Sequence, residues 1–442
     1  MASTYLSRTP SSTGNRKTWT ISGWIKRCET STSSLQIFSA GEYAVTDLVQ
    51  IYTSSHKLYC GMYNSSGTEI SSLITTKVFR DTNAFYNIVV AVDTTQATAS
   101  NRVKIYINGV QETAFDTENY PTQNYDTAFN TTNQNTIGSV KGNTQYFDGI
   151  MSHVHLVDGT AYDASAFGET DDNGVWTIKT SPSVTYGTDG FFILKDGNSV
   201  TDQSGNGNNF TVAGGTLTNT EDNPSNVFAT LNPLDRAING TAPTFANGNT
   251  KWTSSGNGTS NNGVKGTLGF SKGKYYWEAK FNTASQTAVG MFLINGTAGW
   301  DSNGYIAANT GFYGIQNTGT KRVAGVSTAS VFTALSDNDI GMFACDLDNN
   351  KFWFGVNGTW VASGNPASGT NSLGTLSSGT YLPIISNVSW STASSASFNF
   401  GNGYFGTTAV ASAGTNASGI GIFEYDVPTG YTALCTKGLN GE

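Results

Sequence analysis

Short runs in which apolar and polar residues alternate, or in which β-branched and aromatic residues cluster, recur along the chain, each bounded by Gly, Asn, Ser or Asp. In the first half they are TWTISGWIKR (18–27), LVQIYT (48–53), KLYCGMY (57–63), YNIVVAVD (86–93), RVKIYING (102–109) and FDGIMSHVHLVDG (147–159). In the second half they are KYYWEAKF (274–281), AVGMFLI (288–294), GFYGIQ (311–316), DIGMFACDLD (339–348), KFWFGVNG (351–358), YLPIISNVS (381–389) and ASFNFG (396–401). A period of two puts successive side chains on opposite faces of a strand, so each run predicts a strand packed on a core. Helix formers never accumulate at helical spacing. The segment 111–135 reads as a long polar loop, the kind of insertion a rigid sandwich tolerates at its edge and where ligands are met.

One pattern occurs twice. An apolar strand ends at Asp93, a polar loop follows, and VKIYING (103–109) returns; a second apolar strand ends at Asp346, and KFWFGVNG (351–358) returns. Both return strands finish in Asn-Gly, a step that favours the left-handed conformation of tight hairpin turns. With two prolines and a polar stretch after NPSNVFATLNPLD (223–235), this repetition predicts two related modules, residues 1–235 and 236–442. The expected fold is all-β: two antiparallel jelly-roll-type β-sandwiches in tandem, with little or no helix.

Composition supports this and removes several function classes. Only 12% of the 442 residues are charged, 12% are aromatic, and 51 are Gly, which suits short strands joined by many turns. The net charge of −8 comes from scattered acids, with no basic cluster to neutralise a row of phosphates, so nucleic-acid binding is not expected. The amino-terminal stretch lacks the apolar core of a signal peptide and no stretch approaches a membrane span, so synthesis in the cytosol and no membrane insertion are expected. Cys28, Cys60, Cys345 and Cys435 are widely spaced without a C-x-x-C pair, and are expected as buried thiols.

The segments WTISGWIKR (19–27), KIYINGVQ (104–111), FDGIMSHVHLVDGTAYDASAFGETDDNGVWTIK (147–179), YGTDGFFI (186–193), DQSGNGNNFTV (202–212) and NVFATLNPL (226–234) resemble the laminin-G or concanavalin-A-like lectin superfamily, in the branch common in phage structural genes. From 236 to about 435 the chain resembles a SPRY-type sandwich through GKYYWEAKF (273–281), VGMF (289–292), ACDLDNNKFWFGVNGTW (344–360), YLPII (381–385), FNFGNGYF (398–405) and VPTGYTALCT (427–436). The paired resemblance implies a protein of the tailed-phage virion. Both folds host many activities, so function has to be argued from sites.

Catalytic chemistry is not expected. Glycoside hydrolysis needs two facing carboxylates. The nearest pairs, Glu169 with Asp171 and Glu424 with Asp426, lack the E-x-D-x-E pattern of retaining glucanases, and Glu278 is a lone acid expected to hydrogen-bond a neighbouring strand. His153 and His155 alternate on one strand and could ligate a metal, but packing on one sheet face is the plainer reading. No nucleophile elbow or phosphate-cradling loop occurs. The oxygen-rich loop containing Asp202, Asn206 and Asn208 could hold calcium, with a hydrogen-bonded Asx turn preferred; no other cofactor is expected. Sugar binding needs an aromatic platform with amide or carboxylate partners, and the loop bearing Asn295, Trp300, Asp301, Asn303 and Tyr305 offers both. Trp252, Trp360 and Trp390 stand beside similar polar residues.

The expected function is a non-enzymatic virion surface protein, a capsid decoration or tail-associated knob, assembled in the host bacterial cytoplasm and holding host-surface glycans through sandwich loops. Its expected partners are other virion proteins, host polysaccharide and copies of itself, since particle appendages follow the particle's symmetry. Without heptads or collagen-like repeats, a fibre shaft is not expected. The alternatives are a polysaccharide depolymerase of the glucanase-like branch and a purely structural cement protein.

Overall fold

In a computed structural model, the described residues are 3–142, 145–195, 199–237, 241–256, 262–294, 306, 308–389 and 391–441. They divide into two compact units at residues 219–226, so the strand Leu231–Arg236 lies in the second unit, ahead of the break read from the prolines. Among them, regular structure is almost entirely strand in antiparallel sheets. Among the described residues the only α-helix is Thr436–Asn440, and no helix is long and apolar enough to cross a membrane.

The first unit pairs an eight-stranded sheet with a six-stranded one. The larger runs in the order 115–119, 69–78, 57–63, 48–54, 35–40, 135–137, 5–8, 211–214, and the smaller in the order 191–193, 149–158, 18–27, 85–93, 103–107, 110–111. Alternation explains the burial. Val49, Ile51, Leu58, Cys60 and Met62 of the large sheet and Ile21, Ile25, Ile88, Val90 and Ile105 of the small one point into a single core that also contains Trp19. The second unit repeats the plan with seven- and nine-stranded sheets around a core containing Trp252, Trp277, Phe343, Phe354 and Phe398.

The repeated Asn-Gly pattern is a repeated structure. Asn108 and Gly109 have φ of 48° and 81°, and Asn357 and Gly358 have φ of 47° and 84°, the double left-handed conformation that closes a two-residue hairpin. Each turn joins directly paired residues, Ile107 with Val110 and Val356 with Thr359. Each asparagine also closes the ladder to the strand paired with its own: Asn108 Oδ1 accepts the Asn87 N–H and Asn357 Oδ1 accepts the Ile340 N–H, both at 2.8 Å. The same side chain thus shapes the turn and terminates the ladder in both units.

The segment 111–135 departs from a pure loop. Phe115–Asn119 forms an edge strand on Glu69–Val78. Its sequence, FDTEN, is mostly exposed and carries no apolar alternation, because an edge strand contributes backbone hydrogen bonds more than core side chains. All four cysteines are buried thiols, and burial pushes the Cys60 thiol up to about 12.

Candidate functional site

The first unit carries a polar surface depression of about 370 Å³ at the ends of its strands, lined by Thr13, Arg16, Thr46, Asp47, Ser65, Thr131, Thr132 and Asn133. Four chain segments meet there, so its geometry depends on what ties them together. Arg16 is the tie: its Nε donates to Thr127 O at 2.8 Å, and one Nη donates to Asp126 O at 3.1 Å and to Asp47 Oδ2 at 3.0 Å. Thr127 answers with hydrogen bonds from its N–H and hydroxyl to Arg16 O. Thr131 Oγ1 accepts the Asn133 N–H while donating to Ala128 O. The Arg16–Asp47 pair is about one-third exposed on both sides, which leaves a guanidinium and a carboxylate open to a ligand.

An aromatic stands next to these groups. Tyr43, 57% exposed, belongs to the same loop as Thr46 and Asp47, and its ring lies over the turn that carries Ser65: a Cβ on Gly67 would stand 3.2 Å from it. The ring meets Tyr63 edge-on, with centroids 5.6 Å apart. Hydroxyl, amide, carboxylate and guanidinium groups beside an exposed ring form a donor-and-acceptor set matched to the hydroxyls and apolar face of a sugar.

The residues singled out in the sequence fare differently. Asn295, Trp300, Asp301, Asn303 and Tyr305, with Trp390, lie outside the described residues. Trp252 is fully buried in the second core, and Trp360 packs edge-on against Tyr276. Around Asp202 the loop is knotted by its own hydrogen bonds: Oδ1 accepts the N–H of Phe192 and Ser204, and Oδ2 accepts the Ser204 hydroxyl and the Asn208 N–H. Asn206 and Asn208 both donate side-chain N–H groups to Gly190 O. This is an Asx-type turn whose carboxylate faces donors rather than a cation. Adding calcium is therefore expected to leave the melting temperature of the protein unchanged; a calcium-dependent rise, abolished by Asp202→Asn, would contradict this reading.

His153 and His155 share a face, but that face is packed. Their rings lie 5.6 and 4.0 Å from Phe192, and His155 Nδ1 meets the Tyr186 hydroxyl at 2.9 Å. Burial, with smaller effects of His153 and Lys195, holds His155 well below the usual imidazole range. Among the described residues, no group of three or more His, Cys, Asp and Glu is placed to hold a metal ion.

Of the acid pairs, Asp171, Glu424 and Asp426 accept backbone N–H groups, and Glu169 lies in the short strand Gly168–Thr170. Asp171 Oδ1 accepts the N–H groups of Asn173 and Val175, while Glu169 lies 3.9 Å from Lys179. Glu424 accepts the Ala411 N–H, and Asp426 accepts the N–H and hydroxyl of Thr415, which hold its carboxyl below the ordinary value. Glu278 is fully buried. It accepts from Asn399 of the adjacent strand, as expected, but also from the N–H groups of Glu424 and Tyr425 and the Tyr276 hydroxyl.

The depression itself escaped the sequence because its lining is drawn from loops more than one hundred residues apart. The one usable signal was the polarity of the 111–135 segment, which supplies Thr131, Thr132 and Asn133.

Comparison with known proteins gives a partial family match. Residues 2–165 match the family model described as the concanavalin A-like lectin/glucanases superfamily. No curated protein matches the chain by sequence. Among solved structures, the chain is similar to the SPRY domain of human HERC1 at 14% identity and a TM-score of 0.30, covering 38% of this chain and 96% of that one. It is similar to mouse laminin α1 domains LG4-5 at 9% identity and a TM-score of 0.29, covering 87% and 80%. A SAP-like pentraxin from Limulus polyphemus matches at 16% identity and a TM-score of 0.28, covering 36% and 72%. The two sheets around one core and the family match agree: residues 2–165 belong to a β-sandwich domain related to the concanavalin A-like lectin/glucanase superfamily.

Proposed function

We propose that this chain is a non-enzymatic surface protein of a tailed-phage particle, a capsid decoration or tail-associated knob, that holds host-surface glycans at the rim of its first sandwich. One observation carries the glycan part: every residue lining the polar depression lies within the segment matched to the lectin superfamily. The engagement of one or both carboxylates of each candidate acid pair by backbone N–H groups, at Asp171, Glu424 and Asp426, supports a binding role over hydrolysis. The virion assignment rests on the ordered resemblance at 147–179, 186–193, 202–212 and 226–234. In this reading both units are jelly-roll-type sandwiches, laminin-G-like and then SPRY-like. The partners are other virion proteins, host polysaccharide and further copies of the chain.

Asp47→Ala is expected to weaken glycan binding about tenfold, a loss of about 1.4 kcal/mol. It removes a partly exposed ion pair worth about 0–1 kcal/mol, so the melting temperature is expected to move by only a few degrees. A glycan array followed by calorimetry on the full chain reads both. Unchanged affinity in the variant would move the site elsewhere, no binding on the array would leave a cement role, and reducing ends released from host polysaccharide would make the protein a depolymerase. Mass spectrometry of purified particles tests the virion assignment separately.

A further inference from the structure

The glycan site of the first unit does not end at the rim. Along Leu48–Ser54 and Lys57–Tyr63, the residues between the core-facing ones point to the opposite face of the sheet, and among these are Gln50, Tyr52, Tyr59 and Tyr63. Tyr52 and Tyr59 are directly paired across the ladder, and their rings stack with centroids 4.8 Å apart and planes 23° apart. Next along the strand, Gly61 has no side chain, and the ring of Tyr63 lies over it; a Cβ there would meet that ring at 3.0 Å. The aromatic surface thus continues from Tyr59 to Tyr63. Tyr63 then meets Tyr43, the exposed ring beside the depression.

A row of amides runs beside the rings. The Tyr63 hydroxyl hydrogen-bonds Gln50, whose Oε1 accepts from Gln36 Nε2 at 3.3 Å; the same nitrogen donates to Gln145 at 3.0 Å. Gln36 is 1% exposed and its Oε1 has no hydrogen-bond partner among the described residues. The charged groups lie at the ends: Lys57 with Asp116 at one, and Glu69, 3.4 Å from the Tyr63 hydroxyl, at the other. Between them Gln50, Tyr52 and Tyr59 carry no formal charge.

We infer that this face is a track for an extended, uncharged polysaccharide, which enters at the rim depression and lies along Tyr43, Tyr63, Tyr59 and Tyr52 with its hydroxyls toward Gln50. The inference rests on the glycan-binding reading of the depression and extends it from one sugar to several. At about 3.3 Å per residue, Tyr59 and Tyr63 stand roughly 13 Å apart along the strand, so the track is longer than a single ring. Aromatic rings contact the apolar faces of successive sugars, amides serve their hydroxyls as both donor and acceptor, and none of Gln50, Tyr52 and Tyr59 is a cation for an anionic chain, while Lys57 and Arg16 at the ends are held by Asp116 and Asp47.

The test is calorimetry on the full chain with dextran, laminarin and mannan, their oligosaccharides from disaccharide to octasaccharide, and heparin as the anionic comparison. Affinity for one neutral series is expected to rise with length. Tyr52→Ala with Tyr59→Ala is expected to lower the affinity of the octasaccharide about tenfold while leaving the disaccharide unchanged. Should the double variant melt early, Tyr59→Thr, with a residue at home in strands, asks the same question. Length-independent binding, an unaffected octasaccharide, or a preference for heparin would overturn the track while leaving the depression as a site. If no glycan binds, the track and the reading beneath it fall together.

Discussion

Glu278→Ala is expected to lower the melting temperature of the second unit by roughly 10 °C, a loss of about 3–5 kcal/mol. The carboxylate is fully buried in the strand Lys274–Thr283 and receives four donors: the Tyr276 hydroxyl at 2.8 Å, the Glu424 and Tyr425 N–H groups at 2.9 Å, and Asn399 Nδ2 at 3.3 Å. Alanine would leave those donors facing an apolar cavity, and each orphaned buried donor costs about 1–3 kcal/mol. Two of them belong to the backbone near the 411–426 segment, so the loss should appear first as faster amide exchange there, ahead of global unfolding.

The same carboxyl makes stability depend on pH. Burial pushes it up to about 7, against 4.5 for an ordinary glutamate, and its four donors pull the other way without cancelling the effect. Between those values the folded protein holds a proton that the unfolded chain releases. The contribution of Glu278 is therefore fully present below pH 4.5 and is lost as pH rises through about 7, a change of about 3 kcal/mol. Melting curves at pH 5 and pH 8 should show this fall for the second unit. Glu278→Gln should flatten it, and an unchanged slope in that variant would assign the titration to another group.

Much of the fold was legible because its physics is local. Thr18–Arg27 and Lys57–Tyr63 have the bounds that alternation assigns them, and the Asn-Gly steps at 108–109 and 357–358 mark both hairpins because few other pairs accept two successive positive φ angles. Legibility failed where partners are distant. Phe115–Asn119 is a strand only because Glu69–Val78 offers it an edge. Glu278 was read as bonded to its neighbouring strand, but the N–H groups it also holds lie 146 and 147 residues onward. Arg16 was unremarkable in sequence and becomes central because Asp47, Asp126 and Thr127 converge on it. The loop at Asp202 was readable as an Asx turn because the hydrogen bonds of Asp202 itself close within seven residues, apart from that to Phe192.

Trp19→Ala links the core of the first unit to its rim. The indole is fully buried, packs 4.7 Å from the Phe129 ring, and its Nε1–H donates to Thr127 Oγ1 at 2.8 Å. Removing it from a closely packed core is expected to cost about 3–5 kcal/mol, through lost apolar burial and an unfilled cavity, and to lower the melting temperature of this unit by roughly 10 °C. Phe129 and Thr127 sit in the segment that shapes the depression, and Thr127 O receives Arg16 Nε. Loosening that segment should therefore weaken glycan binding at temperatures well below the melting transition, although Trp19 touches no ligand. Trp19→Phe keeps most of the volume and loses only the indole donor, so it should recover much of the stability while leaving Thr127 less firmly placed. A binding loss that persists in the phenylalanine variant would assign the coupling to the Trp19–Thr127 hydrogen bond; full recovery would assign it to volume alone. Unchanged affinity in the alanine variant, despite a lowered melting temperature, would show that the rim holds its shape independently of the core beneath it.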